Sequence, residues 1–196
     1  MAPDRATPRV VIAEDEAIIR LDLRELLEEE GYDVVGETGR GDEAIELVRD
    51  LVPDLVILDV KMPGLDGLSA ARHIASERLA AVLILTAISQ RDLIERARDA
   101  GALAYLVKPF QKSELIPAIE LAMARHAELT SLERHVDDLD QRLESRKLID
   151  RAKGRLMSEH GYDEQAAWRF IQTRAMSERV KIADIARRVV DGDLAP

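Results

Sequence analysis

The sequence predicts an α/β protein with a five-stranded, parallel, doubly wound sheet, followed by a long helical coiled-coil connector and a small three-helix C-terminal domain. Two observations support this prediction. Short β-branched and apolar runs alternate with amphipathic segments along the first 110 residues, which is typical of parallel strands joined by helical crossovers. From residue 113 to residue 158, Gly and Pro are almost absent, as expected for one long helix.

Five strands are predicted before residue 108. Three of them are apolar throughout, as expected for strands that helices cover on both faces. The runs are VVIA at 10–13, YDVVGE at 32–37, LVIL at 55–58, AVLIL at 81–85 and LAYLV at 103–107.

The segments between these strands have the apolar spacing of helices. AIIRLDLRELLEE repeats its apolar residues three and four positions apart, which predicts a helix over 17–29. Asp42 is predicted to cap EAIELVRDL and Ser89 to cap RDLIERARDA, because both side chains are good N-caps. Gly101 is predicted to end the second of these helices.

Composition excludes several classes of protein. The chain has 196 residues, no cysteine and a formal net charge of −10. Its length suits one ordinary domain with a smaller one. The absence of cysteine excludes disulfides, thiolate metal sites and thiol catalysis, and it fits a reducing compartment. The N-terminus resembles no secretory signal, so we expect a cytoplasmic protein.

Polar side chains follow four of the predicted strands. Glu14 and Asp15 follow the first strand, Asp59 the third, Thr86 the fourth and Lys108 the fifth. The carboxyl ends of parallel strands meet at one edge of the sheet, where such folds bind ligands. Clustered carboxylates without nearby His or Cys suit Mg²⁺, and a hydroxyl with an ammonium suits the oxygens of a phosphoryl group. The pattern therefore predicts a magnesium-dependent phosphoryl site.

Residues 9–124 resemble the receiver domain of two-component response regulators, which has a flavodoxin-like fold. The resemblance rests on EDE at 14–16, DVKMPGLDG at 59–67, TA at 86–87 and KPF at 108–110. It implies a regulator and not an enzyme.

The resemblance also implies residue roles. Asp59 would be the phosphoacceptor, phosphorylated by a partner histidine kinase. Glu14, Asp15, Asp59 and the main-chain carbonyl of Lys61 would hold Mg²⁺. Many receivers have two aspartates where this chain has Glu14 and Asp15, which leaves open whether Glu14 reaches the ion directly or through water.

The remaining implied roles concern the switch that follows phosphorylation. Lys108 would pair with the phosphoryl group, and Thr86 would move to hydrogen-bond it. Tyr105 lies at the family's switch-aromatic position, where its burial is coupled to the movement of Thr86.

The connector over 125–145 carries an apolar seam. Its members repeat at spacings of three and four, as in a coiled coil, and are Leu129, Leu132, Val136, Leu139 and Leu143. Two alternatives stand: the seam packs on the protein's own domains, or it pairs two protomers, in particular after phosphorylation. Pro117 is predicted to lie in the first turn of the helix, where proline is tolerated.

The segment from residue 146 predicts a three-helix unit. Asp163 is expected to cap its second helix. The predicted core comprises Leu148, Ala152, Leu156, Ala167, Phe170, Ile171, Ile182, Ile185, Ala186 and Val189. A glycine inside a helix is unfavourable, so Gly154 is expected to mark a close helix crossing. For Trp168, half-buried packing is favoured over stacking on a nucleic-acid base.

This unit is electrostatically different from the rest of the chain. Residues 1–145 carry 17 Lys and Arg against 30 Asp and Glu, a net charge of −13, whereas residues 146–196 carry 11 against 8, a net charge of +3. A basic unit can bind nucleic acid through its phosphates. It can equally be a solvated helical surface.

Residues 145–192 resemble the ANTAR domain, an RNA-binding output module of transcription antitermination regulators. The matching segments are AKGRLM at 152–157, HGYDEQAA at 160–167, RAM at 174–176 and IADIA at 182–186. The resemblance implies binding to RNA hairpins in nascent transcripts. Candidate contacts are Lys153, Arg155, Arg169, Arg174, Arg179 and Lys181. Arg187 and Arg188 are further basic residues of the unit that could meet phosphates. A DNA-binding helix-turn-helix and a protein-binding helical output remain as alternatives.

The predicted layout is an N-terminal tail at 1–8, a receiver domain at 9–124, the connector at 125–145 and an ANTAR domain at 146–196.

Overall fold

The computed structural model describes residues 7–87 and 91–194, with no description of the side chains of Arg91, Asp137, Asp138 and Leu139. The predicted cap Ser89 lies outside the described residues. The chain divides into two compact units, Met1–Ser131 and Leu132–Pro196. No helix in the described ranges combines the length and apolarity needed to cross a bilayer.

The first unit alternates strands with helices, as predicted. The elements in chain order are β1 (Arg9–Ala13), α1 (Ala17–Glu29), β2 (Asp33–Thr38), α2 (Gly41–Leu51), β3 (Leu55–Asp59), α3 (Gly67–Ser76), β4 (Ala81–Thr86), α4 (Arg91–Asp99), β5 (Ala104–Val107) and α5 (Lys112–His160). The strands form one parallel sheet in the order β2-β1-β3-β4-β5. The prediction of a five-stranded doubly wound sheet is confirmed.

The sheet is covered on both faces, which explains its apolar strands. Every residue of β3 and β4 is buried. One face packs against α2, α3 and α4 through a core that includes Val11, Val56 and Val82. The other face packs against α1 and the start of α5 through Ile12 and Ile57.

Helix α2 begins at Gly41, two residues earlier than the sequence predicts. Arg40 is its N-cap, without a side-chain cap hydrogen bond, and Asp42 lies inside the first turn. The predicted cap at Asp42 is therefore wrong. Asp42 instead accepts hydrogen bonds from the Arg40 guanidinium at 3.1 and 2.6 Å. A Cβ on Gly41 would overlap the carbonyl oxygen of Leu65, so the start of the helix depends on a close approach by another segment.

Helix α4 ends as predicted, with Gly101 at φ +84°, and Asp66 caps α3 by accepting from the Ser69 amide. Helix α5 runs for 49 residues and contains Pro117. The helix begins five residues before this proline, so its predicted first-turn position is wrong. Proline has no amide hydrogen to donate, and the neighbouring packing of Leu115 and Ile119 in the core stabilises the helix across that position.

The second unit is built from the C-terminal part of α5 with α6 (Glu164–Glu178) and α7 (Ile182–Asp191). Asp163 caps α6 through a 2.7 Å hydrogen bond from the Ala166 amide, as predicted. The predicted core residues are buried or partly buried, joined by Ala175, Ile149, Tyr162, Val190 and Leu194.

Gly154 does not mark a close helix crossing. A Cβ added there would meet nothing within 4 Å, so the predicted reason for this glycine is wrong. Helix α5 keeps its hydrogen bonding through Gly154, and nothing in the structure explains why the residue is not Ala.

Candidate functional site

Three carboxylates lie together at the carboxyl edge of the sheet. Glu14 and Asp15 directly follow β1, and Asp59 is the last residue of β3. Each of the three places an oxygen within 4.8 Å of the others. Glu14 is fully buried, Asp59 is 5% exposed and Asp15 is exposed. Oxygen ligands at this spacing suit a hard divalent cation.

Lys108 bridges two of these carboxylates from the end of β5. Its Nζ lies 2.6 Å from Oε2 of Glu14 and 2.8 Å from Oδ1 of Asp59. Burial raises the pKa of Glu14, and the hydrogen bond from Lys108 offsets part of that effect. Burial acts to lower the pKa of Lys108, but its hydrogen bonds to Asp59 and Glu14 raise it overall. The ammonium therefore stays charged and partly neutralises the cluster.

The loop after β3 holds Asp59 in place. The backbone amide of Lys61 donates to Oδ2 of Asp59 at 2.9 Å. Gly64 has φ +78°, which places the PG pair in a turn that favours glycine. A Cβ on Gly67 would overlap the carbonyl oxygen of Asp59. The DVKMPGLDG segment therefore needs glycine at the point where α3 begins beside the acidic residue.

The two predicted switch residues differ in burial and in their position along their strands. Thr86 ends β4 and is 4% exposed, and its carbonyl accepts from the Lys108 amide at 2.7 Å. Tyr105 lies in β5, directly opposite Ile84 of β4, and is 43% exposed. Buried Thr86 and exposed Tyr105 thus lie on adjacent strands.

A groove of about 380 Å³ opens beside Asp59, and helix α4 forms one wall of it. Asp92, Leu93 and Arg96 line that wall together with Lys61 and Ala87 from the loops. The sequence does not predict a role for these α4 residues. No local pattern marks them, because their place at the site depends on how α4 packs against the sheet.

In the second unit, several of the predicted RNA contacts are already paired. Lys153 forms ion pairs with Asp150 at 3.0 Å and Glu164 at 2.9 Å. Arg155 pairs with Glu159 and donates to the carbonyl of Val190 at the end of α7. These two cations therefore hold helices of the unit together.

The other four candidates form no ion pair within the described part of the chain. Arg174 lies over the Phe170 ring, 5.8 Å from its centroid, and that ring stacks on Tyr162. Arg169 lines the same shallow surface on α6. Arg179, which has φ +56°, and Lys181 lie in the exposed turn between α6 and α7.

The seam residues of α5 expose much of their apolar surface. The described members keep about half of their surface in solvent: Leu129 49%, Leu132 57%, Val136 55% and Leu143 51%. The side chain of the fifth member, Leu139, lies outside the described residues.

Family comparisons match both parts of the chain. Residues 10–120 match the response regulator receiver domain, and residues 137–190 match the ANTAR domain. The chain belongs to the response regulators. Within this family it combines a receiver domain with an ANTAR domain, as its motifs predict, and the relative that it matches over 96% of its length is a transcriptional regulatory protein and not an enzyme.

Individual relatives agree with this assignment. The chain is 58% identical over 189 residues to the transcriptional regulatory protein PdtaR of Mycobacterium tuberculosis, covering 96% of this chain and 92% of that protein. It is 36% identical to the chemotaxis protein CheY of Thermotoga maritima over 57% of this chain and 93% of CheY. A solved receiver domain of a modulated diguanylate cyclase from Desulfovibrio desulfuricans is 32% identical, with a TM-score of 0.58 over 62% of this chain and 98% of that one.

Two glycines of this response regulator should respond oppositely to alanine. Gly67→Ala forces a methyl group against the Asp59 backbone, so we expect a loss of about 3 kcal/mol in the free energy of unfolding. The matched control Gly154→Ala adds a methyl group to an open, exposed helical position and should stabilise the protein by about 1 kcal/mol.

Denaturant titrations separate the two effects. Circular dichroism follows the whole chain, and the emission of Trp168, the sole tryptophan, follows the C-terminal unit alone. A Gly67→Ala variant as stable as the wild type would contradict the tight approach of α3 to Asp59.

Proposed function

We propose that the protein is a cytoplasmic response regulator that a partner histidine kinase phosphorylates on Asp59, and that it then binds RNA hairpins in nascent transcripts to prevent termination. In this proposal residues 9–124 receive the phosphoryl group, 125–145 connect, and 146–196 bind RNA. The ion pairs of Lys108 with Glu14 and Asp59 carry the first half of the proposal. The unpaired cations of an ANTAR domain carry the second.

Phosphoryl transfer uses the carboxylate of Asp59. One of its oxygens forms the new bond to phosphorus while the P–N bond of the kinase phosphohistidine breaks and its electron pair stays on the imidazole. The phosphoryl group brings additional negative charge to a site with three carboxylates. Lys108 lies close enough to Asp59 to pair with a phosphoryl oxygen, and Thr86 can donate its hydroxyl to another.

The donor set fits Mg²⁺. Glu14, Asp15 and Asp59 supply carboxylate oxygens within 4.8 Å of one another, and the carbonyl of Lys61 is the proposed fourth protein ligand. When bound, the ion would neutralise the cluster and accept phosphoryl oxygens. Because Glu14 is buried and paired with Lys108, the exposed Asp15 is the ligand most open to an incoming ion.

The switch proposal rests on the contrast between Thr86 and Tyr105. In this proposal, the side chain of Thr86 turns toward the phosphoryl group and vacates the space between it and Tyr105 on the neighbouring strand β5. Tyr105, now 43% exposed, can then become buried in that space. Phosphorylation would thereby change the surface of the receiver domain.

RNA binding can be tested by filter binding with the phosphorylated chain. The probes are a pool of two-hairpin RNAs with randomised loops, duplex DNA of matched length, and a series of salt concentrations. We expect the RNA to bind and its affinity to fall steeply with salt, because contacts to phosphates release counterions. Tighter binding to duplex DNA would favour a DNA-binding output, and binding to neither would favour a protein-binding one.

The exposed seam should support phosphorylation-dependent dimers. Leu132→Lys combined with Leu143→Lys places two cations in the apolar stripe, which a coiled-coil interface does not tolerate. We expect the phosphorylated variant to stay monomeric in analytical ultracentrifugation while Asp59 still accepts phosphate.

A matched control places the same two charges on the opposite side of the helix. Ala127→Lys with Gln141→Lys lies at exposed positions half a turn from the seam and should leave dimerisation unchanged. If the seam variant dimerises as well as this control, the seam does not pair protomers.

A further inference from the structure

A shallow groove on the C-terminal unit combines an aromatic wall with cations. It lies between α5 and α6, has a volume of about 510 Å³, and is lined by Gln141, Arg142, Ser145, Arg146, Ile149 and Trp168. Ligand sites usually have volumes of about 300–1,000 Å³. None of the RNA contacts predicted from the sequence lies in this groove.

Trp168 is the groove's largest apolar surface. It is 38% exposed, although the preceding residue, Ala167, is fully buried in the core of the unit. Burial of a tryptophan side chain is favourable, and the exposed part of Trp168 leaves an aromatic face that a partner could cover. Packing within the unit therefore covers only part of the Trp168 side chain, as the sequence predicts.

Two arginines supply the positive charge of the groove. Arg142 and Arg146 are one helical turn apart on α5 and point to the same side. Both are exposed, and neither forms an ion pair with a residue that the structure describes. Ile149, one turn further on, is partly buried and provides an apolar floor.

The absence of acid from the lining distinguishes this groove from its two neighbours on the same unit. The groove between α5 and α7 includes Glu144, which pairs with Lys147. The surface beside Phe170 includes Asp163. No carboxylate lines the Trp168 groove, so no acidic side chain of its lining competes with a polyanion for the two arginines.

We propose that the Trp168 groove takes one unpaired base of an RNA hairpin loop, with the base stacked on the indole and its flanking phosphates paired with Arg142 and Arg146. The inference rests on the proposed RNA-binding function and names the place of contact. A base inside a duplex is already stacked on its neighbours, whereas a loop base can turn out and stack on an aromatic side chain. The groove therefore reads the loop and not the stem.

The emission of Trp168 tests this directly in the unaltered protein, because the chain has one tryptophan. The two-hairpin RNA pool is first enriched on the phosphorylated full-length chain and then titrated into it. Stacking of a base on the indole should quench and shift the emission. A duplex RNA with the same stem sequence and no loop should leave it unchanged.

Variants measure the contribution to affinity. Trp168→Ala should weaken binding of the enriched pool about 5- to 100-fold, the loss that removal of one base–aromatic stack produces. It should not change the weaker binding of the loopless duplex. Trp168→Phe keeps an aromatic face and should recover part of the loss.

A matched pair of arginines tests the placement. Arg146 lines this groove and Arg187 lines the groove on the other side of α5, and neither forms an ion pair with a described residue. Each alanine variant removes one positive charge. Arg146→Ala should weaken loop binding several-fold more than Arg187→Ala, since only the former removes a phosphate partner beside the indole.

The outcomes separate the two proposals. Unchanged Trp168 emission, or equal affinity of wild type and Trp168→Ala for an RNA pool that does bind, would overturn the groove and leave RNA binding in place. A pool that never enriches on the protein would overturn both.

Discussion

Asp59→Asn should abolish phosphorylation. With Mg²⁺ and a small-molecule phosphodonor, the wild-type chain should gain one acid-labile, hydroxylamine-sensitive phosphate, and the variant should gain none. Asn has nearly the same shape as Asp, but its amide is not a nucleophile toward phosphorus and cannot form an acyl phosphate. Intact-mass measurement before and after hydroxylamine treatment counts the phosphate.

Asp15→Asn is the matched control, because it removes one carboxylate from the same cluster and keeps the nucleophile. We expect it to need more Mg²⁺ for the same extent of labelling, since a metal ligand is weakened. Lys108 still pairs with Glu14 and Asp59 in this variant, so its fold should be unaffected. Labelling of Asp59→Asn at wild-type stoichiometry would remove Asp59 from its proposed role.

Phosphorylation should raise RNA affinity by about a hundredfold in the full-length chain. The first 145 residues have a net charge of −13 and the last 51 a net charge of +3, and phosphate adds further negative charge. Neutralisation therefore cannot activate binding. A dimer that presents two basic units to one RNA can activate binding, because the second unit then contacts the RNA at high effective concentration.

The charge difference predicts how fragments behave. Residues 125–196 without the receiver domain should bind a two-hairpin RNA in the absence of phosphate, since the acidic domain no longer repels the RNA. Binding of the full-length chain should require phosphate, and both affinities should fall with salt. Equal RNA affinity of phosphorylated and unphosphorylated full-length protein at one salt concentration would contradict this coupling.

Much of the fold was predictable because short stretches of the sequence indicate the individual strands and helices. β1, β3 and β4 contain short apolar runs, which are typical of strands covered on both faces, and the structure buries them completely or nearly so. Chemistry at the sheet edge follows from this fold. Once the strands are assigned, Glu14, Asp59 and Lys108 are expected to lie close together. The structure places both carboxylates within ion-pair distance of Lys108.

What the sequence did not reveal depends on residues far apart in the chain. At the start of helix α2, Gly41 lies so close to the carbonyl oxygen of Leu65 that a Cβ would overlap it, and no spacing near residue 42 indicates this approach. Likewise, Arg155 is a basic residue in a basic segment, which predicts an RNA contact. In the structure its guanidinium donates to the carbonyl of Val190, 35 residues away. The sequence does not indicate a role for Arg146, because only the packing of α5 beside α6 brings it near Trp168.

Strand β4 also affects how prone the unfolded chain is to aggregate. Its six residues, AVLILT, are uncharged and all buried, and segments of this kind form cross-β aggregates when they are exposed. In the sheet it lies between β3 and β5, so neither of its edges is available to another chain. During synthesis β4 stays unpaired for longer than a hairpin strand would, because parallel strands pair only after the long helical connection between them has formed. A variant with a weakened receiver domain should therefore be lost from the cell as aggregate, and its loss will depend on chaperone capacity.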